Sequence, residues 1–155
     1  MFKINRKIEY ALIALRYMSS KQQGQLTTAK EICDIYHTPF DTLSRVLQIM
    51  AQKGILKAEQ GAHGGYLVTT DLSKITMAEL TDLLTGPIEI ASCFHGNYSH
   101  CELTKGCSVI SPMLNLNEKL SQLFKTISVG ELLTSKHQDE KSIRLKPMAP
   151  TAEPV

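Results

Sequence analysis

The chain has 155 residues, of which 43% are hydrophobic and 21% are charged, and its formal net charge is +2. This composition is ordinary for a globular protein, and the length suits one compact domain or a small domain with an oligomerisation arm. No apolar run is long enough to cross a bilayer, and because charged positions interrupt the apolar ones near the N-terminus we expect no signal peptide. We therefore expect a cytoplasmic protein without a membrane partner.

The charge is divided unevenly along the chain. Residues 1–70 carry nine Lys/Arg against five Asp/Glu, a net charge of +4, which leaves −2 for residues 71–155. A polyanion such as DNA would bind the basic half.

The first half of the chain predicts three helices. Apolar residues recur at helical spacing over residues 4–19, and Thr28 with Glu31 forms a capping box that begins a short second helix. After a short turn, Thr38 can cap a third helix that runs to Lys53. Two helices joined by so short a turn are typical of a helix-turn-helix.

The pattern then changes to that of a β-hairpin. Residues 55–60 and 66–69 read as short strands, and the loop between them contains Gly61, Gly64 and Gly65. Glycines allow the backbone of such a loop to approach a ligand closely. A hairpin directly after a helix-turn-helix predicts a wing.

Two further helices are predicted beyond the wing. One begins at a capping box of Thr76 and Glu79 and stops before Gly86. The other covers residues 111–133, and its apolar residues follow a 3-4-3-4 spacing: Met113, Leu116, Leu120, Leu123 and Ile127. Two heptads are too few for a stable free coiled coil, so this helix should pack within a dimer.

The sequence thus predicts a mainly α fold with a small β-hairpin. Residues 1–86 form a winged helix-turn-helix domain, and residues 87–110 form a cysteine-bearing loop. Residues 111–133 form a dimerisation helix. The polar, proline-containing residues 134–155 lack periodicity and read as a disordered tail.

Candidate DNA contacts lie on the third helix and the wing. Arg and Gln are the residue types that pair with guanine and adenine edges in the major groove, although a polar helix face can also be merely solvated. His63 at the tip of the wing could enter the minor groove or simply be exposed. The candidate set is Thr38, Thr42, Ser44, Arg45, Gln48, Gly61, His63, Gly64, Gly65 and Tyr66.

Three cysteines form the second candidate site. Cys93, Cys101 and Cys107 have the spacing C-x7-C-x5-C, and in a reduced compartment such a cluster favours a metal or redox centre over disulfides. The paired knuckles typical of zinc are absent from this sequence, whereas three loop thiolates can hold an iron–sulfur cluster. His95 and His100 could also ligate, or be solvated.

Other chemistry is poorly supported by the sequence. Cys33 lies in the apolar stripe of the second helix and is expected to be structural. No Ser/His/Asp arrangement, paired-carboxylate site or phosphate loop is visible, so we expect no enzyme activity and no small-molecule substrate.

The stretches IEYALIAL, LSRVLQIMAQKGILKAEQGAHGGYLV, ITMAELTDLLTGPI and ISVGELL give the chain a family likeness. Over residues 8–133 it resembles the Rrf-type winged helix-turn-helix transcriptional regulators, which sense iron–sulfur clusters, nitric oxide or iron. The resemblance implies a homodimer that reads partly palindromic double-stranded DNA. It also implies that cluster occupancy controls DNA binding.

The resemblance assigns the ligands Cys93, Cys101 and Cys107 to an iron–sulfur cluster, for which 2Fe–2S is favoured and 4Fe–4S is the alternative. The cluster-assembly regulators of the family carry a histidine three residues after the last cysteine, where this chain has Ile110. Glu9 occupies the place of a first-helix carboxylate that serves as fourth ligand in similar nitric-oxide sensors, with His37 a weaker candidate.

The resulting prediction is a regulator that senses iron–sulfur cluster status and controls cluster-assembly genes. The alternatives are a nitric-oxide or iron-responsive repressor of the same family and a cluster-free thiol-switch regulator that binds DNA. A zinc-stabilised interaction module without a DNA role is a third possibility.

Overall fold

The computed structural model describes residues 3–91 and 106–134. This part of the chain is mainly helical and contains a two-stranded antiparallel hairpin, which confirms the predicted fold class. The helices are α1 (Arg6–Ser20), α2 (Ala29–Tyr36), α3 (Phe40–Gln52), α4 (Met77–Thr85), α5 (Ile110–Thr126) and α6 (Val129–Thr134), and the strands are β1 (Leu56–Glu59) and β2 (Gly65–Val68).

Helix α3 lies at the centre of the core and packs against α1, α2, α4 and β1. Its inward face is fully buried, as the 3.6-residue period of its apolar positions predicts. Side chains from the other elements complete one continuous cluster. The buried apolar residues are Ile8, Ala11, Ala14, Leu15, Met18, Ile32, Leu43, Val46, Leu47, Met50, Ile55, Leu56, Met77, Leu80, Leu84 and Val129.

The turn between α2 and α3 differs from the sequence prediction. Thr38 does not cap α3: the N-cap is Pro39, which makes no side-chain cap hydrogen bond. Thr38 is buried instead, and its hydroxyl donates to the Cys33 sulfur at 3.5 Å. His37 ends α2 in the left-handed conformation, with φ of +52°. The hydroxyl thus links the two helices rather than starting the second.

The predicted capping box of α2 forms only in half. The Thr28 hydroxyl accepts a hydrogen bond from the Glu31 amide at 3.1 Å, but the Glu31 carboxylate turns towards α1. There it accepts from the Tyr17 hydroxyl at 2.6 Å and pairs with Lys21 at 2.5 Å. Burial alone would raise the pKa of Glu31, but these two donors outweigh it and lower that pKa. The carboxylate therefore fixes the helix-turn-helix to α1.

The wing is present and is tied to the helix-turn-helix. Leu56 pairs with Val68 and Glu59 with Gly65, which gives an antiparallel hairpin in the predicted position. The β2 residue Tyr66 also exchanges both backbone hydrogen bonds with Thr27, at 2.8 and 2.9 Å. This bridge joins the wing to the segment just before α2, so the wing and the helix-turn-helix are positioned together.

Helix α4 begins at the predicted capping box, in which both the Thr76 and the Glu79 side chains form their hydrogen bonds. The helix predicted over residues 111–133 is instead two helices. Helix α5 ends at Thr126, and the segment before α6 pairs with the start of α4, where the Met77 amide donates to the Ile127 carbonyl at 2.8 Å. This pairing requires extended backbone and therefore interrupts the helix.

Several predictions lie outside the described residues. These are the cysteines Cys93 and Cys101, the histidines His95 and His100, and the tail beyond Thr134. Within residues 3–91 and 106–134, no helix is long and apolar enough to cross a membrane.

Candidate nucleic-acid interface and cluster ligands

The outward face of α3 carries a polar stripe. Asp41, Arg45, Gln48 and Gln52 are all exposed and follow one another at intervals of four, three and four residues. This spacing places them in one row on the side opposite the buried leucines. We call these four residues the α3 stripe.

Arg45 is free to bind a ligand. Its guanidinium makes no ion pair or hydrogen bond within the described ranges, although Asp41 lies one turn before it. The backbone beneath it is held by Val46 and Leu47, neither of which has any solvent-exposed surface. A rigid helix that presents an unpaired guanidinium is suited to bidentate hydrogen bonding with a planar acceptor pair.

Three of the predicted DNA contacts do not lie on the α3 stripe. The Thr38 hydroxyl is turned into the helix-turn-helix, and Thr42 is half-buried. The Ser44 hydroxyl is buried and makes no hydrogen bond in the part of the chain that the structure describes. The sequence did not reveal this, because Ser44 borders the polar face and its burial depends on tertiary packing.

The buried hydroxyl leads to a prediction for Ser44→Ala. A buried unpaired hydroxyl is costly and alanine favours helix, so we expect the free energy of unfolding to stay unchanged or rise by up to about 1 kcal/mol. Sequence-specific DNA affinity should not change. Thermal melting measures the change in stability, and DNA titration measures the change in affinity. Gln48→Ala serves as the control, because it truncates an exposed residue of the same helix. Weaker DNA binding by Ser44→Ala would contradict this placement.

The wing residues divide into exposed and structural ones. Gly61 and His63 are exposed, and Gly61 has φ of +114°, a conformation that favours glycine. A Cβ on Gly64 would lie 2.3 Å from the Glu59 carbonyl oxygen, so the hairpin requires glycine there. Tyr66 is half-buried and packs against the core. His63 is therefore the predicted wing residue whose side chain is most available to a ligand.

Sequence reasoning missed two exposed residues at the start of α3. Phe40, the first residue of the helix, has 55% of its surface exposed, and Asp41 opens the α3 stripe. The spacing from Arg45 back to Asp41 is the signal that could have identified the carboxylate. Exposed phenylalanine at a helix start has no comparable sequence signature.

Only one of the three clustered cysteines lies in the described residues. Cys107 is a free, half-buried thiol three residues before α5 begins. Glu9 lies on α1, where its carboxylate pairs with Arg6 at 2.9 Å and its side chain is 35% exposed. Among the described residues, no group of three or more His, Cys, Asp or Glu side chains could hold a metal ion.

Helix α5 leaves apolar side chains uncovered. None of its residues is fully buried, and it packs against α4. Leu116 and Leu123 have 46% and 51% of their surfaces exposed and lie seven residues apart on the predicted seam, and Val109 is exposed just before the helix. A row of exposed leucines on a helix is typical of a protein-interaction surface.

The comparison with known families now identifies the chain. The model of the Rrf2 family, described as an iron-dependent transcriptional regulator, matches residues 4–135. The chain belongs to the Rrf2 family. Membership of this family confirms the resemblance seen in the sequence. The family consists of transcriptional regulators, which agrees with the expectation of a regulator rather than an enzyme.

Other Rrf2-like proteins resemble the chain over most of its length. The transcriptional regulator NsrR of Shouchella clausii is 21% identical, covering 81% of this chain and 84% of the relative. CymR, the global cysteine regulator of B. subtilis, has a similar fold, with a TM-score of 0.65, 20% identity and coverage of 88% and 99%. The IscR structure of T. potens also has a similar fold, with a TM-score of 0.61 and 17% identity. The match covers 85% of this chain and 86% of the IscR chain.

Proposed function

We propose that this Rrf2 protein is a homodimeric regulator that binds operator DNA through α3 and the wing and senses iron–sulfur cluster status. Its cluster would be held by Cys93, Cys101 and Cys107. The observation that carries the DNA part is the α3 stripe, which presents an unpaired Arg45 from a helix with a fully buried opposite face.

DNA recognition follows from the position of this stripe. In helix-turn-helix proteins the second helix lies in the major groove and its N-terminal residues reach the base edges. Arg45 is suited to guanine and Gln48 to adenine. The wing, which is tied to Thr27 by the Tyr66 bridge, would place His63 beside the adjacent backbone or minor groove.

The dimer is supported by the apolar row on α5. Leu116 and Leu123 are half exposed in the single chain, and burying them against a second copy would remove apolar surface from water. A two-fold dimer presents two α3 helices, which matches a palindromic site whose halves lie one helical turn, about 34 Å, apart.

The cluster is supported by donor chemistry. Cys107 is a half-buried thiol that forms no disulfide within the described part of the chain, and thiolates are the usual ligands of iron–sulfur clusters. Glu9 is the proposed fourth ligand, contributed by the partner subunit. Its pairing with Arg6 is a surface ion pair worth about 0–1 kcal/mol, so freeing the carboxylate costs little.

The link between the two sites is geometric. Cys107 lies three residues before α5, the proposed dimer helix, and α5 packs against α4, which in turn contacts α3. A change at the cysteine would therefore alter how α5 meets its partner and shift the population of dimers with the correct spacing of α3 helices. A carboxylate ligand binds iron more weakly than a thiolate, which suits a cluster that is readily lost.

The signal is proposed to be cluster supply, with control of cluster-assembly genes. Glu9, at the place of the first-helix carboxylate of similar nitric-oxide sensors, favours nitric oxide as the second candidate signal, and the likeness to the cysteine regulator CymR favours a thiol switch. These candidates predict different cofactor contents.

The test is to purify the full chain without oxygen and measure iron, sulfide and zinc. We expect a brown protein that contains iron and sulfide, and DNA binding that changes when the cluster is removed. Binding should be compared at fixed salt, because the phosphate contribution to affinity depends strongly on ionic strength. A colourless protein whose DNA affinity responds only to thiol oxidation would favour the switch, and bound zinc would contradict both.

A further inference from the structure

The carboxylate of Asp41 has no partner in the described structure. It is exposed on the second residue of α3 and makes no ion pair or hydrogen bond within residues 3–91 and 106–134. Other acids near the starts of helices accept hydrogen bonds: Asp71 accepts one from the Ser73 amide, and Glu79 accepts one from the Thr76 amide at the cap of α4. Asp41 is therefore exposed and free on the surface that faces DNA in the proposed complex.

Local stability alone explains little of this placement. An acid in the first turn interacts favourably with the helix dipole, but it can do so without lying on the ligand-facing stripe. The α3 N-cap, Pro39, makes no side-chain bond, and Asp41 does not supply one in its place. The carboxylate thus lies in the same row as Arg45 without a capping role.

A carboxylate in a DNA groove requires a specific partner. The duplex carries one negative charge per roughly 1.7 Å of its axis, so an unpaired carboxylate is repelled from DNA in general. A carboxylate only accepts hydrogen bonds, and the donor that it characteristically meets in the major groove is the cytosine N4 amino group. The carboxylate would therefore favour a cytosine and disfavour sites without one.

We propose that Asp41 is a specificity-determining residue that accepts a hydrogen bond from a cytosine amino group in the operator. Four helical residues span about 6 Å, and successive base pairs are about 3.4 Å apart. The cytosine should therefore lie within about two base pairs of the base that Arg45 contacts. This inference rests on the proposed binding of DNA through α3.

The consequence is that Asp41 contributes discrimination rather than affinity. On DNA without the cytosine, its charge repels the phosphates and no hydrogen bond offsets the repulsion. Removing the charge should strengthen binding to random DNA while the preference for cytosine at one position is lost.

The experiment selects binding sites from a random duplex pool with the full-length protein purified without oxygen, and compares wild type with Asp41→Ala. Asp34→Ala is the matched control, because Asp34 is an exposed acid on α2 without a partner in the described structure. Both variants lose one negative charge. We expect only Asp41→Ala to lose the cytosine preference, by about tenfold in the affinity ratio of matched and mismatched duplexes.

A second variant keeps the test decisive if Asp41→Ala folds poorly. Asp41→Asn preserves side-chain size but adds a donor, and we expect it to favour adenine at the same position. Unchanged base preference in both variants would overturn the inference while leaving the DNA-binding function intact. Wild-type protein that selects no sequence at all would instead refute the proposed function.

Discussion

Replacing Leu116 and Leu123 together with glutamate is expected to dissociate the proposed dimer into monomers. Each side chain exposes about half of its surface in the single chain, so full burial in a dimer contributes about 1 kcal/mol per leucine. A symmetric dimer buries four such side chains. Their loss should raise the dimer dissociation constant about 1000-fold, before the cost of burying the new charges is added.

The matched control is Asn115→Glu with Gln122→Glu. These two residues are exposed and have the same seven-residue spacing on α5. Each precedes one of the leucines by one position, which turns its side chain about 100° around the helix, away from the apolar row. The control adds the same charge but should remain dimeric. Sedimentation velocity measures the association state, and operator titration should show weaker binding only for the leucine variant. A leucine variant that still sediments as a dimer would show that α5 is not the interface.

The sequence predicted best those features that depend on local periodicity. Leu43, Leu47 and Met50 recur at helical spacing, which predicts that they face inward, and all three are fully buried. Arg45 and Gln48 were expected outside for the same reason, and both are exposed. The packed face and the polar face of one helix follow from a single pattern, so both could be read without knowledge of the rest of the fold.

The predictions that failed depended on partners distant in the sequence. The Glu31 carboxylate was expected to complete a cap, but Tyr17, fourteen residues earlier, donates to it instead. The break between α5 and α6 was not predicted, because it arises from backbone pairing between the Ile127 carbonyl and the Met77 amide, fifty residues earlier. Apolar spacing carries no information about such long-range hydrogen bonds.

The candidate cluster site shows the limit of prediction in another way. Residue type and spacing indicated which sulfurs could bind iron, since thiolate chemistry does not depend on the fold. The structure places Cys107 three residues before α5, and Glu9 on α1, where it pairs with Arg6. The remaining two cysteines lie outside the described residues, so the complete ligand set rests on chemistry and family likeness and requires a direct test.

If the proposed cluster is present, replacing Cys107 with serine is expected to abolish the visible colour that it gives the anaerobically purified protein and to remove most of the bound iron and sulfide. A serine hydroxyl stays protonated near neutral pH, and cluster ligands must be deprotonated, so the site would retain at most two of its three sulfurs. The fold should survive, because Cys107 is only half-buried and lies outside the hydrophobic core.

Cys33→Ser provides the matched control, since it removes a thiol on α2 that is half-buried like that of Cys107. Its new hydroxyl can still accept the hydrogen bond from Thr38, so the helix-turn-helix should remain folded. The control should keep the wild-type spectrum, iron content and DNA affinity. If both variants kept the wild-type iron content, Cys107 would not be a ligand. Loss of iron from Cys33→Ser alone would instead move the site into the helix-turn-helix.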